Sequence, residues 1–283
     1  MASRSHNVLQ GEREARKQSG SAALALIANS KPVEVILTLL VFSIYAAVIA
    51  ASVFPTVWFL VTLLPPILGP HLAAVPAPDA GSPVVATLLA SAVVGAAFYV
   101  YLFGATLVQS LGIRLLSLGI KPGKYPAMSV TTLRWLIFSG ITTISMRMLL
   151  PVIPVSFLIN AYFRVVGCKM GRNVKINTPK ICDAYLLTLE DDVVVGGGTD
   201  ITCHLWENDH LILQRIVIGA GTLIGSNSYI APGVTVGKRC VVGVYSYLRA
   251  GSRVPDDSII TSVGGVDIRT ARDIEKRRAR TRG

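Results

Sequence analysis

Two histidines stand six residues apart in the C-terminal half of the chain, within Cys203-His204-Leu205-Trp206-Glu207-Asn208-Asp209-His210-Leu211. Imidazole titrates near neutrality, so either ring could act as a general base. Such a base needs a partner to orient it, and Asp183, Asp200, Glu207 and Asp209 are the carboxylates that could serve. The other two histidines, His6 and His71, lie in a polar N-terminus and in a Pro/Ala/Gly loop. Cys203 adjoins His204, but neighbours on a strand point to opposite faces, so a Cys–His nucleophilic dyad is not expected. Cys168, Cys182, Cys203 and Cys240 form no CxxC pair and fit no zinc spacing; they read as reduced thiols, and no metal site is expected. No P-loop, GxGxxG, GxSxG or HExxH occurs, and Gly196-Gly197-Gly198 reads as a coil corner.

The elements that must position these residues announce themselves by period. Ile218, Ile224, Ile230, Val236, Val242, Leu248, Val254 and Ile260 recur every six residues, and Thr222, Ser228, Val234, Cys240, Ser246, Ser252 and Ser258 follow at a fixed offset, all small. A fixed period marks a repeat architecture. Six residues make one flat face of a triangular prism, with an aliphatic residue filling the interior and small residues near the corners. The prediction is a left-handed parallel β-helix. Weaker copies precede it at Met170 and Ile176, and at Leu189, Val195 and Ile201. The register breaks between Ile201 and Ile218, where both histidines sit, and a break reads as a loop leaving the coil.

The N-terminal half has a different composition. Hydrophobic residues make up 52% of the chain and charged residues 15%, and from Val35 to Ile113 the one charged residue is Asp79. This excludes a simple soluble domain and intrinsic disorder. Val35–Phe54 and Val84–Val108 are long enough to cross ~30 Å of hydrocarbon. Residues 71–83 between them hold no Lys or Arg, whereas both flanks are basic. The positive-inside rule therefore places both ends in the cytoplasm. Net charge is +11, from 27 Lys and Arg against 16 Asp and Glu, and reads as attraction to anionic lipid, not nucleic acid. Residues 110–164 read as amphipathic helices in the interface, with a re-entrant pair or two more spans as the competing reading.

The stretches Ile216-Val217-Ile218-Gly219-Ala220-Gly221-Thr222-Leu223-Ile224-Gly225, Ile230-Ala231-Pro232-Gly233-Val234-Thr235-Val236-Gly237 and Val241-Val242-Gly243 resemble the signature of the bacterial hexapeptide-repeat acyltransferases. Lys121-Pro122-Gly123-Lys124-Tyr125-Pro126, Leu133-Arg134-Trp135 and Arg164-Val165-Val166-Gly167-Cys168-Lys169-Met170-Gly171 are similar to a membrane-associated subgroup that includes the C-terminal module of epsilon-poly-lysine-synthetase-type peptide synthetases. The resemblance implies transfer of an acyl group, acetyl in the first instance, from acyl-CoA to a hydroxyl or amine. It implies homotrimers with sites between adjacent prisms and a backbone amide at the oxyanion. It favours His204 as base, with His210 as the alternate, Asp183 or Glu207 as its partner, and Lys238, Arg239, Arg249 and Arg253 as contacts for the coenzyme phosphates. Lys238-Arg239-Cys240 and Tyr245-Ser246-Tyr247 depart from the family's usual stretch beside the pantetheine.

The resulting map is a polar cytoplasmic N-terminus (1–31), two transmembrane helices (32–109), an interfacial helical linker (110–164), the β-helix domain (165–265) and a basic tail with a short helix (266–283). The expected setting is the bacterial inner membrane, with the β-helix cytoplasmic and a lipid-linked or amphiphilic acceptor. A membrane-bound trimeric scaffold without activity and a gamma-carbonic-anhydrase-like metalloenzyme are the rivals. The second needs three histidines per zinc, and the repeats hold two.

Overall fold

The computed structural model describes residues 31–66, 82–260 and 268–270. The chain falls into two compact units, Met1–Ala47 and Val48–Gly283. The expected features at His6, at His71 and over most of the basic tail lie outside the described residues. Within that tail Ile268–Thr270 is a strand, antiparallel to Ser258–Ile260, where a helix was expected.

Helix α1 (Lys31–Trp58) contains Pro55 and continues through a π-turn at Phe59–Leu63. Helix α2 runs from Ser82 to Ser117. The start of the stretch expected as an interfacial linker, Ser110–Ser117, is thus the last two turns of α2 and not a separate element. Gly104 of α2 lies against Pro55, where a Cβ would come within 3.0 Å of the Pro55 Cγ. The Gln109 amide donates to the Ser52 hydroxyl and accepts from Ser145, a buried polar chain across three segments.

After strand β1 (Gly123–Pro126), helix α3 spans Val130–Ile144 and ends in a π-turn and a 3-10 turn, Ser145–Leu149 and Leu150–Val152. Ser129 caps its start by accepting from the Thr132 N–H, 3.1 Å. Helix α4 (Phe157–Val166) is capped by Ser156 and stopped by Gly167, whose φ of 114° only glycine adopts freely. Among the described residues three helices are long and apolar enough to cross a membrane, Thr38–Pro66, Thr87–Ser117 and Val130–Val152.

The third differs in its attachments. The Arg134 guanidinium donates to the carbonyls of Leu116 and Leu118 at the end of α2, 2.7 Å each, a cation at a helix C-terminus. The connection from α3 to α4 is tied to the first coil of repeats by the Val155 N–H donating to the Ile176 carbonyl, 3.0 Å. Asn160 Nδ2 donates to the Val174 carbonyl, and Arg164 to that of Gly171. The connection and α4 thus lie against the first coil of the β-helix, while the start of α3 is tied to the end of α2. Arg147, set among apolar residues, is exposed.

The repeats form a parallel β-helix of short rungs in three stacks. The interior columns are Met170–Leu189–Ile218–Val236–Val254, Ile176–Val195–Ile224–Val242–Ile260 and Ile181–Ile201–Ile230–Leu248. All but Met170 are buried. The weaker early copies therefore join the same three columns. The small residues have a second role: the hydroxyls of Thr222 and Ser228 donate to the carbonyls of Gly237 and Gly243 on the next coil, 2.8 and 2.9 Å. Corners turn through left-handed residues, among them Asn173, Asn227, Gly198 and Gly233, in line with the corner read at Gly196-Gly197-Gly198.

The register break is an insertion. Ile201 stacks on Ile230, 29 positions on, whereas Ile230 stacks on Leu248, 18 positions on. The extra residues are a β-hairpin, β2 (His204–Glu207) and β3 (His210–Leu213), not an irregular loop. Asn208 and Asp209 form its two-residue turn, both at positive φ. Strand β1 adds to its free edge, pairing Lys124 with Ile212 and Pro126 with His210.

Candidate functional site

His204 opens the hairpin at the point where the chain leaves the coil. Asp183 sits one coil earlier, after the rung Ile181–Cys182, in a left-handed conformation (φ 55°) that Asp tolerates better than most residues. The His204 Nδ1–H donates to Asp183 Oδ2 at 2.5 Å. A carboxylate only accepts, so Nδ1 carries a proton, and in the neutral ring Nε2 is then the atom with the lone pair. The side chains are 19% and 2% exposed: the ring can meet a substrate, the carboxylate cannot meet water.

A third residue closes the group. The Trp135 indole N–H, on α3, donates to Asp183 Oδ1 at 2.8 Å. Its ring also stands edge-on to His204, with centroids 4.7 Å apart and planes at 68°. Trp206, two residues after His204 and so on the same strand face, lies 6.0 Å from Trp135. Trp135 stands 48 positions before Asp183 in an apolar helix; the Leu133-Arg134-Trp135 resemblance touches it but assigns it no role at the site. The available clue is general: a buried indole N–H seeks an acceptor.

The other candidate residues disperse. The His210 Nδ1–H donates to the Asn208 carbonyl of the hairpin turn, 2.6 Å, so no carboxylate orients that ring. Glu207 is exposed on the strand face opposite His204, because strand side chains alternate, and its place opposite His210 sets it at the far end of the hairpin. Asp200 accepts from the Thr202 hydroxyl on a coil face, and Asp209 belongs to the turn.

Nor are the four basic residues gathered. Lys238 and Arg239 occupy one prism corner, Arg249 follows Leu248 at another, and Arg253 lies outward on the stack that also carries Thr235. Arg239 is held by Asp257 through two bonds, 2.6 and 2.7 Å, while Lys238 lines a shallow depression with Lys169, Glu190 and Ala220.

The thiols are inert by environment. Burial pushes Cys168 and Cys182 up to about 12, the charges of Asp183 and Asp200 adding to the rise at Cys182. Cys203 is fully buried and its thiol is held well above the usual range by the same cause. A thiolate beside His204 is therefore not available. Among the described residues no group of three or more His, Cys, Asp or Glu could hold a metal ion.

Residues 215–260 match the family model of bacterial transferase hexapeptide (six repeats), and the rungs over that span are such repeats. The chain is 31% identical over 162 residues to a delta-poly-L-ornithine synthetase of Acinetobacter baumannii, covering 57% of this chain and 12% of that one. It is 31% identical over 91 residues to a UDP-3-O-acylglucosamine N-acyltransferase of Bordetella parapertussis, 32% of this chain and 23% of that one. It thus spans a small part of each relative's length. Among solved structures, a maltose O-acetyltransferase from Clostridium difficile aligns with 14% identity and a TM-score of 0.38, over 52% of this chain and 90% of that one.

Proposed function

We propose that this chain is a membrane-anchored acyltransferase that moves an acyl group, acetyl in the first instance, from acyl-CoA to a hydroxyl or amine of a membrane-associated acceptor. The observation that carries the reading is the Asp183–His204 pair, a buried carboxylate holding an accessible imidazole with Nε2 free to accept a proton. The hexapeptide match and the acyltransferase name borne by one relative support it.

In this mechanism the acceptor O–H or N–H gives its proton to Nε2 as the oxygen or nitrogen attacks the thioester carbonyl. Asp183 stabilises the imidazolium that forms. The C–S bond then breaks, and the imidazolium returns the proton to the departing sulfur, leaving CoA thiol and the acylated product. A backbone N–H steadies the oxyanion in between. A trimer completes each site, the neighbouring prism supplying its second wall.

Membrane attachment is supported by α1 and α2, whose long apolar sides are exposed, from Val35 to Val61 and from Val84 to Leu115. At ~1.5 Å per residue α2 is ~54 Å long, more than a bilayer core needs, so its last turns project beyond hydrocarbon. Those turns are the ones buried against α3 and α4. In this reading the α3–α4 pair lies along the membrane surface, which its bonds to the first coil at Val155, Asn160 and Arg164 and to Asp183 through Trp135 support. Val130, Leu133, Leu136 and Phe157, its exposed apolar residues, would then face the lipid. Two crossings then leave the β-helix on the cytoplasmic side, where acyl-CoA is. The acceptor reaches His204 from that surface.

Lipid and glycan mass spectrometry of cells with and without the protein tests this reading, and one species should lose an acyl mass. His204→Ala should reproduce that loss. A cellular phenotype untouched by His204→Ala would favour the scaffold, and stoichiometric zinc in the purified protein would favour a metalloenzyme.

A further inference from the structure

We infer that Trp135, a residue of α3 and not of the β-helix, is a positioning residue of the reaction centre, holding the Asp183 carboxylate in line with the His204 ring through its indole N–H. The inference rests on the acyl-transfer reading of His204. Its ground is the division of one carboxylate between two donors, Oδ2 to His204 and Oδ1 to Trp135. With 2% of that side chain exposed, water does not take the place of either. Two bonds from different directions fix both the position and the plane of the carboxylate. The same indole packs edge-on against the imidazole, so one residue constrains both members of the pair.

The support for Trp135 is built from α3 outward. Ser129 caps the helix start, and the Thr132 hydroxyl donates to the Pro126 carbonyl at the end of β1. Strand β1 pairs with β3, and β3 with the β2 strand that begins with His204. The helix that supplies the indole and the hairpin that supplies the imidazole are therefore tied to each other. A displacement of α3 along the membrane surface would move the donor relative to the carboxylate, making the helical layer part of the site and not a passive anchor.

A neutral donor on Oδ1 disperses part of the carboxylate charge. Without it Asp183 relies on the imidazolium alone, and His204 should hold its proton to higher pH. Other ionisable groups do not interfere. Cys182, Tyr185 and Cys203 sense the Asp183 charge, but each is raised by burial and stays neutral between pH ~5 and ~9. Arg134 is bound to the α2 carbonyls, Asp200 to Thr202, His210 to the turn, and Glu207 is on the opposite strand face.

Diethyl pyrocarbonate modifies unprotonated imidazole, and peptide mass spectrometry of the full chain in detergent reads the titration midpoint of His204. Trp135→Phe should raise that midpoint by about half a unit, and Asp183→Asn should lower it. If Trp135→Phe does not fold, benzothienylalanine at position 135 keeps the bicyclic shape, removes only the N–H, and must give the same rise. An unchanged or lowered midpoint would overturn the positioning role while leaving acyl transfer intact. A raised midpoint in a protein that transfers no acetyl group from acetyl-CoA to extracted lipid would uphold the positioning role and remove the acyl-transfer reading.

Discussion

His204 is the residue on which turnover should depend most steeply. Its replacement by Ala should lower acyl transfer by about 10²–10⁴-fold, the usual worth of a positioned base, and should leave the β-helix circular dichroism unchanged, because the ring lies outside the coil interior. Release of CoA thiol measures the first effect. The buried thiols set a different dependence. Cys168 and Cys182 have ordinary values of 9.0 and are held near 12 by the fold, so the unfolded chain releases these protons first. Their contribution to stability is full below pH 9 and is lost as pH rises from there towards 12. Thermal melting in detergent should show this decline, and Cys182→Ala should flatten it; an equally steep fall in that variant would count against the burial argument.

The coil tolerates little added volume at its corners, an element-scale property. A Cβ on Gly219 would lie 2.6 Å from the backbone carbon and oxygen of Gly237 on the next coil, and backbone cannot swing aside as a side chain can. Gly219→Ala should therefore cost about 1–3 kcal/mol, seen as a lower unfolding midpoint. Gly221, two residues away, meets only the flexible Arg239 side chain, but its φ of 68° penalises any Cβ. The two glycines are needed for different reasons, close approach at one and chain direction at the other.

At the scale of the whole molecule, sidedness and assembly decide whether the chemistry can occur. An impermeant thiol reagent should label a Cys placed at Ser82 in intact cells. A Cys placed at Ser19 should react only after the cells are opened. Reaction from outside at a tag following Gly283 would separate the site from cytosolic acyl-CoA and end the mechanism. Native Cys203 and Cys240 are buried and are poor reporters even in opened cells. A homotrimer is expected in detergent, and mass photometry finding only monomers at working concentration would count heavily against a site shared between prisms.

The sequence by itself determined the β-helix, because its interior admits one aliphatic residue per face and repeats that demand every six positions. Ile218 to Ile260 states the rule, and the structure follows it rung by rung. It also determined that the histidines occupy a break in the pattern. The tertiary structure decided what the break contains, since a hairpin turned at Asn208-Asp209 reads locally like a loop. It decided between His204 and His210 as the ring held by a carboxylate, since that depends on a coil stacked 21 positions earlier. It kept Lys238 and Arg239 at one corner and set Arg249 at another, with Arg253 on a rung, so the four do not form one cluster within the chain. Above all it brought Trp135 to Asp183. That contact joins an apolar helix to a coil of a different period, and a pattern internal to either one carries no information about how the two pack.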